Sequence, residues 1–203
     1  FKVPVTLEVE VRHAFYDQDL QGRNLVAEIP GTDKQDELVM LGGHFDSWAG
    51  GTGAVDDAAG CAVVMEAMRI LKALGVKPRR TIRAAFWTGE EQGFYGSRGY
   101  VAKHFGDTDK KSLAELDLRT YEESWRNPLG DSTKLIAGPD YGKISGYFNY
   151  DNGSGRIRGI YAQSNAAVVP IFAEWLKPFA DLGATDVVLR DTGGSDHGAL
   201  DYI

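Results

Sequence analysis

Carboxylate and imidazole side chains are concentrated in four short segments of this sequence, at residues 43–47, 55–58, 89–93 and 149–152. Neighbouring negative charges raise each other's pKa and resist ionisation, so a cluster of carboxylates needs a cation among them. Imidazole nitrogen and carboxylate oxygen are ligands that zinc accepts, and the chain has too few cysteines for a thiolate-based structural site. The four segments together therefore predict an open, catalytic metal site.

The segments divide into groups that bind metal and groups that position the ligands. Two zinc ions contribute four positive charges. These are balanced by the three carboxylates of Asp56, Glu91 and Asp151 and by one hydroxide. His44 supplies the imidazole. Asp46 lies two residues further along an extended chain, so we expect its carboxylate to hold the second ring nitrogen of His44 and to fix its tautomer.

Glu90 and Glu91 are adjacent, and adjacent residues of a strand point to opposite faces. Gly89 and Gly93 flank the pair, and glycine allows the chain to leave the strand and to turn both carboxylates inward. One carboxylate can then bind metal while the other stays free as a base. A solvated acidic pair is the alternative interpretation.

The elements that must position these groups alternate between strand and helix patterns. The predicted strands are 5–11, 25–29, 38–41, 81–88, 145–150, 157–161 and 186–189, and the predicted helices are 58–74, 97–105 and 165–182. This order favours a three-layer α/β/α sandwich with a mostly parallel, mixed central sheet. Ligands of such sheets bind at the carboxyl edge, where the acidic segments fall.

Local signals support several of these elements. Residues 5–11 alternate apolar and polar side chains and are expected to form an edge hairpin with residues 25–29. Asp56 and Asp57 provide capping chemistry for the helix that begins at Ala58, and Gly75 provides its stop. We interpret the polar segment 110–134 as helix plus loop.

Composition indicates one globular domain with an acidic surface. The chain has 203 residues, of which 43% are hydrophobic and 25% charged, and its net charge of -7 disfavours nucleic-acid binding. Cys61 is the only cysteine and lies in an apolar run, which predicts core packing. No apolar stretch approaches the roughly 20 residues that span a bilayer. The residues themselves indicate neither the compartment nor the oligomeric state.

Three motifs in this order resemble the M28 zinc peptidases: GGHFDSW at 42–48, GAVDDAAG at 53–60 and FWTGEEQG at 86–93. The sequence is most similar to the branch that contains plasma glutamate carboxypeptidase. The similarity covers residues 24–105 and, more loosely, 145–200. It implies a zinc-dependent exopeptidase fold of the phosphorylase/hydrolase-like type, a peptide substrate and two zinc ions, for which cobalt or manganese can substitute. It also implies a secreted or periplasmic protein.

The resemblance implies a role for each matching residue. His44 and Asp151 hold one zinc, Glu91 holds the other, and Asp56 bridges the two. Glu90 is the general base. The resemblance also implies a cis peptide bond between Asp56 and the residue that follows it.

The sequence departs from the family pattern at its end. Family members complete the second zinc with a histidine that lies beyond the loop matching residues 192–197, and this chain stops at Ile203. We therefore hypothesise that residues 1–203 are a catalytic domain lacking its C-terminal part and a ligand beyond Ile203. Asp196 and His197 are expected to line the substrate pocket, with ligation by His197 as an alternative.

Alternatives remain for both the residues and the function. A lone His44 is compatible with a structural histidine, Asp57 with a helix cap only, and Asp151 with an ordinary Asp-Asn-Gly turn. A glutaminyl-cyclase-like acyltransferase with one zinc and a non-catalytic, transferrin-receptor-like binding domain resemble the same fold. The sequence does not distinguish amino-terminal from carboxy-terminal specificity.

Overall fold

The computed structural model describes residues 4–16, 18–109, 112, 134–151, 154–201 and 203. The strands are β1 (Leu25–Ile29), β2 (Lys34–His44), β3 (Arg80–Trp87), β4 (Gly106–Thr108), β5 (Leu135–Ala137), β6 (Ile144–Asn149), β7 (Gly159–Tyr161) and β8 (Asp186–Val188). The α-helices are α1 (Ala58–Ala73), α2 (Tyr95–His104) and α3 (Val169–Leu176), and short 3-10 helices span Lys177–Leu182 and Asp196–Ala199.

The central sheet has the strand order β1-β3-β2-β6. Strand β2 is parallel to both β3 and β6, whereas β1 runs antiparallel to β3. The predicted mixed, mostly parallel sheet is therefore confirmed. In the register, His44 pairs with Trp87 and Gly42 pairs with Asn149, so three parallel strands end together at one carboxyl edge.

Helices cover both faces of this sheet. On one face, Val101 and Phe105 at the end of α2 pack with Met40 and Trp87 in a buried core cluster. On the other face, Val64 of α1 packs with buried residues of β3 in a second cluster. This arrangement confirms the predicted α/β sandwich, because each sheet face needs an apolar helix surface to exclude water.

Helix α1 begins and ends where the sequence predicts. The Asp57 carboxylate accepts a hydrogen bond from the backbone N–H of Gly60 and so caps the helix. Gly75 follows the helix with a φ of 65°, a left-handed conformation that glycine adopts without a steric penalty. Cys61 is only partly buried, and its thiol donates a hydrogen bond to the carbonyl oxygen of His44.

The predicted edge hairpin is wrong. Residues 5–11 form no strand, and their apolar side chains are exposed, by 77% at Val5 and 71% at Val11. Alternation shows that a segment could lie on a sheet but does not dock it there, and among the described residues the outer edge of β1 stays unpaired. The antiparallel β4–β5 pair was not predicted.

The C-terminal helix is shorter than predicted. Helix α3 begins at Val169 and passes into a 3-10 helix at Lys177, because Pro178 has no N–H to donate and its ring disfavours the preceding turn of α-helix. The segment interpreted as helix plus loop, 110–134, lies outside the described residues apart from Ser112 and Lys134. None of the helices in the described ranges is long and apolar enough to span a membrane.

Candidate metal centre

His44 is the last residue of β2 and is fully buried at the carboxyl edge of the sheet. Its Nε2 atom lies 3.0 Å from Oδ1 of Asp56, 3.8 Å from Oδ1 of Asp151 and 3.9 Å from Oε2 of Glu90. Carboxylates from three separate segments therefore converge on one imidazole nitrogen.

The turn at Asp56 and Asp57 directs these two carboxylates to different tasks. The peptide bond between them is cis, as the resemblance implies. The buried Asp57 carboxylate accepts hydrogen bonds from the backbone N–H groups of His44 and Gly60, both at 3.1 Å. The Asp56 side chain is 52% exposed and faces the imidazole. Asp57 thus ties the end of β2 to the start of α1, and Asp56 remains available for a ligand.

The Glu90–Glu91 turn leaves the strand direction as expected from its glycines. Gly89 has a φ of 66° and Gly93 a φ of 125°, conformations that L-residues with side chains rarely adopt. The Asp46 carboxylate accepts hydrogen bonds from the backbone N–H groups of both glutamates, at 3.1 Å and 3.2 Å. The acidic turn is therefore anchored through its backbone and does not depend on the glutamate side chains for its position.

Asp46 contacts the imidazole differently from the prediction. The Nδ1 atom of His44 lies 3.2 Å from the backbone carbonyl oxygen of Asp46, whereas the nearer carboxylate oxygen is 3.6 Å away. A carbonyl oxygen accepts only, so this contact places a proton on Nδ1 and leaves Nε2 for the carboxylate side of the site.

The donor set fits a metal ion. One ligand atom each from His44, Asp56 and Glu91 lie within 4.8 Å of one another, as do atoms of His44, Asp57 and Asp151. Oε1 of Glu91 is buried and has no hydrogen-bond partner among the described residues. An unpaired buried carboxylate oxygen is costly, and a bound cation removes that cost. The second group includes Asp57, whose two oxygens already accept backbone hydrogen bonds.

Burial and crowding shift the protonation of the site. Burial raises the pKa of Glu90 to about 8, although the nearby His44 opposes the shift. Burial by itself lowers the pKa of His44, but the nearby carboxylates of Asp151 and Glu90 outweigh burial and raise that pKa to about 10. Burial and the charge of Asp151 raise the pKa of Asp57 to about 7. Protonated His44 thus offsets part of the carboxylate charge in the metal-free site.

The loop at residues 192–197 carries two of the predicted site residues, Asp196 and His197. Asp196 is fully buried and accepts a hydrogen bond of 2.5 Å from Ser97, so its side chain does not line an open surface. His197 lies with Nε2 2.7 Å from the carbonyl oxygen of Thr192. Neither residue belongs to the groups of ligand atoms at His44.

Three residues of the site were missed from the sequence: Tyr147, Asn149 and Ser195. Burial by itself raises the pKa of Asp151, but the neighbouring side chains of His44 and Ser195 outweigh burial and lower it. Asn149 in turn contacts both Ser195 and Tyr147. Asn149 precedes Asp151 by two residues and so shares its face of the strand, which was the available signal.

A mixed sheet between helix layers, with an imidazole and carboxylates at its carboxyl edge, defines an α/β domain with a candidate catalytic metal centre. The sequence profile of peptidase family M28 matches residues 24–201. The chain belongs to this family, which confirms the resemblance.

Similar proteins agree with this placement. Carboxypeptidase Q of Bos taurus is 42% identical over 120 residues, which cover 58% of this chain and 25% of the relative. The structure of a peptidase M28 precursor from Shewanella amazonensis has a TM-score of 0.64 at 28% identity and covers 88% of this chain and 33% of that chain. BSAP, a zinc aminopeptidase from Bacillus subtilis, has the same fold, with a TM-score of 0.57 at 20% identity over 88% of this chain and 36% of that chain. The chain thus spans about a quarter of the length of carboxypeptidase Q.

Proposed function

We propose that this chain carries the metal centre of a two-zinc exopeptidase, which hydrolyses a terminal bond of peptides. The observation that carries the proposal is the unpaired, buried Glu91 carboxylate oxygen in a segment that converges with Asp56 on His44. Membership of peptidase family M28 supports peptide hydrolysis. The names carboxypeptidase Q and zinc aminopeptidase, borne by similar proteins, support an exopeptidase and zinc.

In this proposal His44 and Asp151 hold one zinc ion, Glu91 holds the other, and Asp56 bridges them. The distances of 3.0 Å and 3.8 Å from the His44 Nε2 atom to Asp56 and Asp151 support this division. When bound, the zinc pair supplies Lewis acidity, which polarises a carbonyl and lowers the pKa of water towards about 7. Asp57 serves as a cap, and Asp46 orients the imidazole and the acidic turn.

Glu90 is the general base in this scheme. Its side chain is 8% exposed and lies beside His44, and burial raises its pKa to about 8. A carboxyl group with a pKa near the working pH can take a proton from the attacking water and return it to the leaving amine. Glu90 is better suited to this role than Glu91, which belongs with His44 and Asp56 to a group of ligand atoms that could hold a metal ion.

The test is the zinc content of the purified protein after dialysis, together with hydrolysis of dipeptides and of peptides blocked at either end. In the full-length protein that carries these residues we expect two zinc ions per chain, and we expect Glu91→Ala and Asp151→Ala each to weaken the binding of a different one. Asp181→Ala, an exposed carboxylate outside the site, is the matched control and should retain both ions.

The alternatives give different results. One zinc ion without peptide hydrolysis would favour a glutaminyl-cyclase-like transferase. The absence of zinc binding in the unmodified protein would favour a non-catalytic binding domain. Hydrolysis of peptides blocked at one end only would establish which terminus the enzyme recognises.

A further inference from the structure

A chain of hydrogen bonds leads from the protein core to Asp151. The indole N–H of Trp87 donates to the Tyr147 hydroxyl at 2.7 Å, and that hydroxyl donates to Oδ1 of Asn149 at 2.6 Å. Nδ2 of Asn149 donates to the Ser195 hydroxyl at 2.7 Å, and the Ser195 side chain lowers the pKa of the Asp151 carboxylate beside it. Three consecutive hydrogen bonds therefore connect a buried indole with Ser195, which lies next to a proposed zinc ligand.

The direction of this chain is fixed by its two ends. An indole nitrogen can only donate and an ionised carboxylate can only accept, so each hydroxyl and the amide have one arrangement that satisfies both neighbours. Every donor then points towards Asp151. Hydrogen bonds aligned in this way polarise one another, so the Ser195 hydroxyl at the end of the chain becomes a stronger donor towards the carboxylate.

The backbone is shaped to let the chain cross the sheet. Trp87 lies on β3 and Tyr147 on β6, and β2 runs between these strands. The Tyr147 ring passes over Gly42 of β2, where a Cβ atom would lie 2.3 Å from the hydroxyl oxygen and 2.9 Å from the backbone oxygen of Ala85. The absence of a side chain at position 42 is therefore required for the Trp87–Tyr147 contact.

We propose that Tyr147 is a positioning residue for Asp151, acting through Asn149 and Ser195, and that it tightens the binding of the zinc ion that Asp151 holds. This inference rests on the proposed function. A carboxylate held by a directed hydrogen bond loses less rotational freedom when it binds a metal, and outer partners of this kind commonly contribute tenfold or more to metal affinity. The hydroxyl of Tyr147 is the atom that joins the two sides, since the indole of Trp87 donates to it and it donates to Asn149.

The test uses Tyr147→Phe, which removes only the oxygen that links Trp87 with Asn149. The matched control is Tyr100→Phe, because Tyr100 also packs against Trp87, with ring centroids 5.1 Å apart, while its hydroxyl accepts from Arg83. Zinc affinities are measured by competition with a chromophoric chelator, and thermal unfolding of the zinc-free proteins is measured separately. We expect Tyr147→Phe to lower by about tenfold the affinity for one zinc ion, the same ion whose binding Asp151→Ala weakens.

A second variant breaks the chain at the next bond. Asn149→Leu should lower the affinity for the same zinc ion. The double variant Tyr147→Phe/Asn149→Leu should lose no more affinity than the single variant with the larger loss, because both changes interrupt one chain. The proposal would be overturned if the losses of zinc affinity in the double variant were additive, if both zinc ions were bound more weakly to the same extent, or if Tyr100→Phe lost as much affinity as Tyr147→Phe. Unchanged affinities in Tyr147→Phe would overturn it while leaving the zinc centre intact. Absence of zinc binding in the unmodified protein would overturn both proposals.

Discussion

Replacing the proposed base by its amide isostere, Glu90→Gln, should lower activity and raise the stability of the zinc-free protein. The Glu90 side chain is 8% exposed, so the substitution conserves a buried shape and removes only the ionisable group. A structural carboxylate would behave differently, because its loss lowers stability and activity together. A fall in activity together with a rise in stability therefore indicates a general base, whereas a fall in both indicates a structural residue.

The expected magnitudes follow from the chemistry and from the pKa. A general base contributes about 10²–10⁴-fold to rate, which corresponds to roughly 3–5 kcal/mol of barrier. Burial raises the pKa of Glu90 from 4.5 to about 8, so the folded state binds more protons than the unfolded state between these values. Stability then falls as pH rises through this window, and glutamine removes that loss, by about 2–4 kcal/mol between pH 5 and pH 8.

The assay has three parts: steady-state hydrolysis, zinc content, and thermal unfolding of the zinc-free protein at pH 5 and pH 8. We expect Glu90→Gln to retain both zinc ions, to lose most of kcat, and to gain several degrees in Tm over the unmodified protein at pH 8 but little at pH 5. Retention of more than about a tenth of the activity would refute the role of base. Loss of zinc would instead identify Glu90 as a ligand.

Two further predictions concern the site and its frame. Because the pKa of His44 is raised to about 10 by Asp151 and Glu90 against the effect of burial, zinc has to displace a proton at neutral pH, so the rise in Tm on adding zinc should be larger at pH 8 than at pH 6. Gly60→Ala would place a Cβ atom 2.2 Å from Oδ1 of Asp57 and should cost about 3 kcal/mol or more in urea unfolding, whereas Gly99→Ala, with open space around it, should be neutral or slightly stabilising.

The parts of the fold that the sequence predicted correctly depend on local signals. Strands β2 and β3 contain the apolar runs 38–41 and 84–87, and α1 combines helix formers with a capping aspartate and a terminal glycine. These signals are read from residues a few positions apart. The mixed sheet follows from their alternation, since parallel strands need helical crossovers.

The parts that were missed depend on contacts between distant segments. The alternation of residues 5–11 indicates a strand but does not show whether the segment docks on the open edge of β1. The passage of the Tyr147 ring over Gly42 depends on the register between β6 and β2, which no local pattern reveals. The glycine at position 42 reads in the sequence as a strand end, and only the fold shows that it makes room for a side chain from another strand.

Asp46 shows how the same limit affects the site itself. Its nearness in sequence to His44 suggested that its carboxylate serves the imidazole, but His44 pairs in register with Trp87, so the residues just beyond β2 meet those just beyond β3. The carboxylate therefore reaches the N–H groups of Glu90 and Glu91, and the backbone carbonyl oxygen contacts Nδ1. Because every variant at position 46 keeps that carbonyl oxygen, a loss of activity in Asp46→Asn would report on the placement of the acidic turn and not on the orientation of the imidazole.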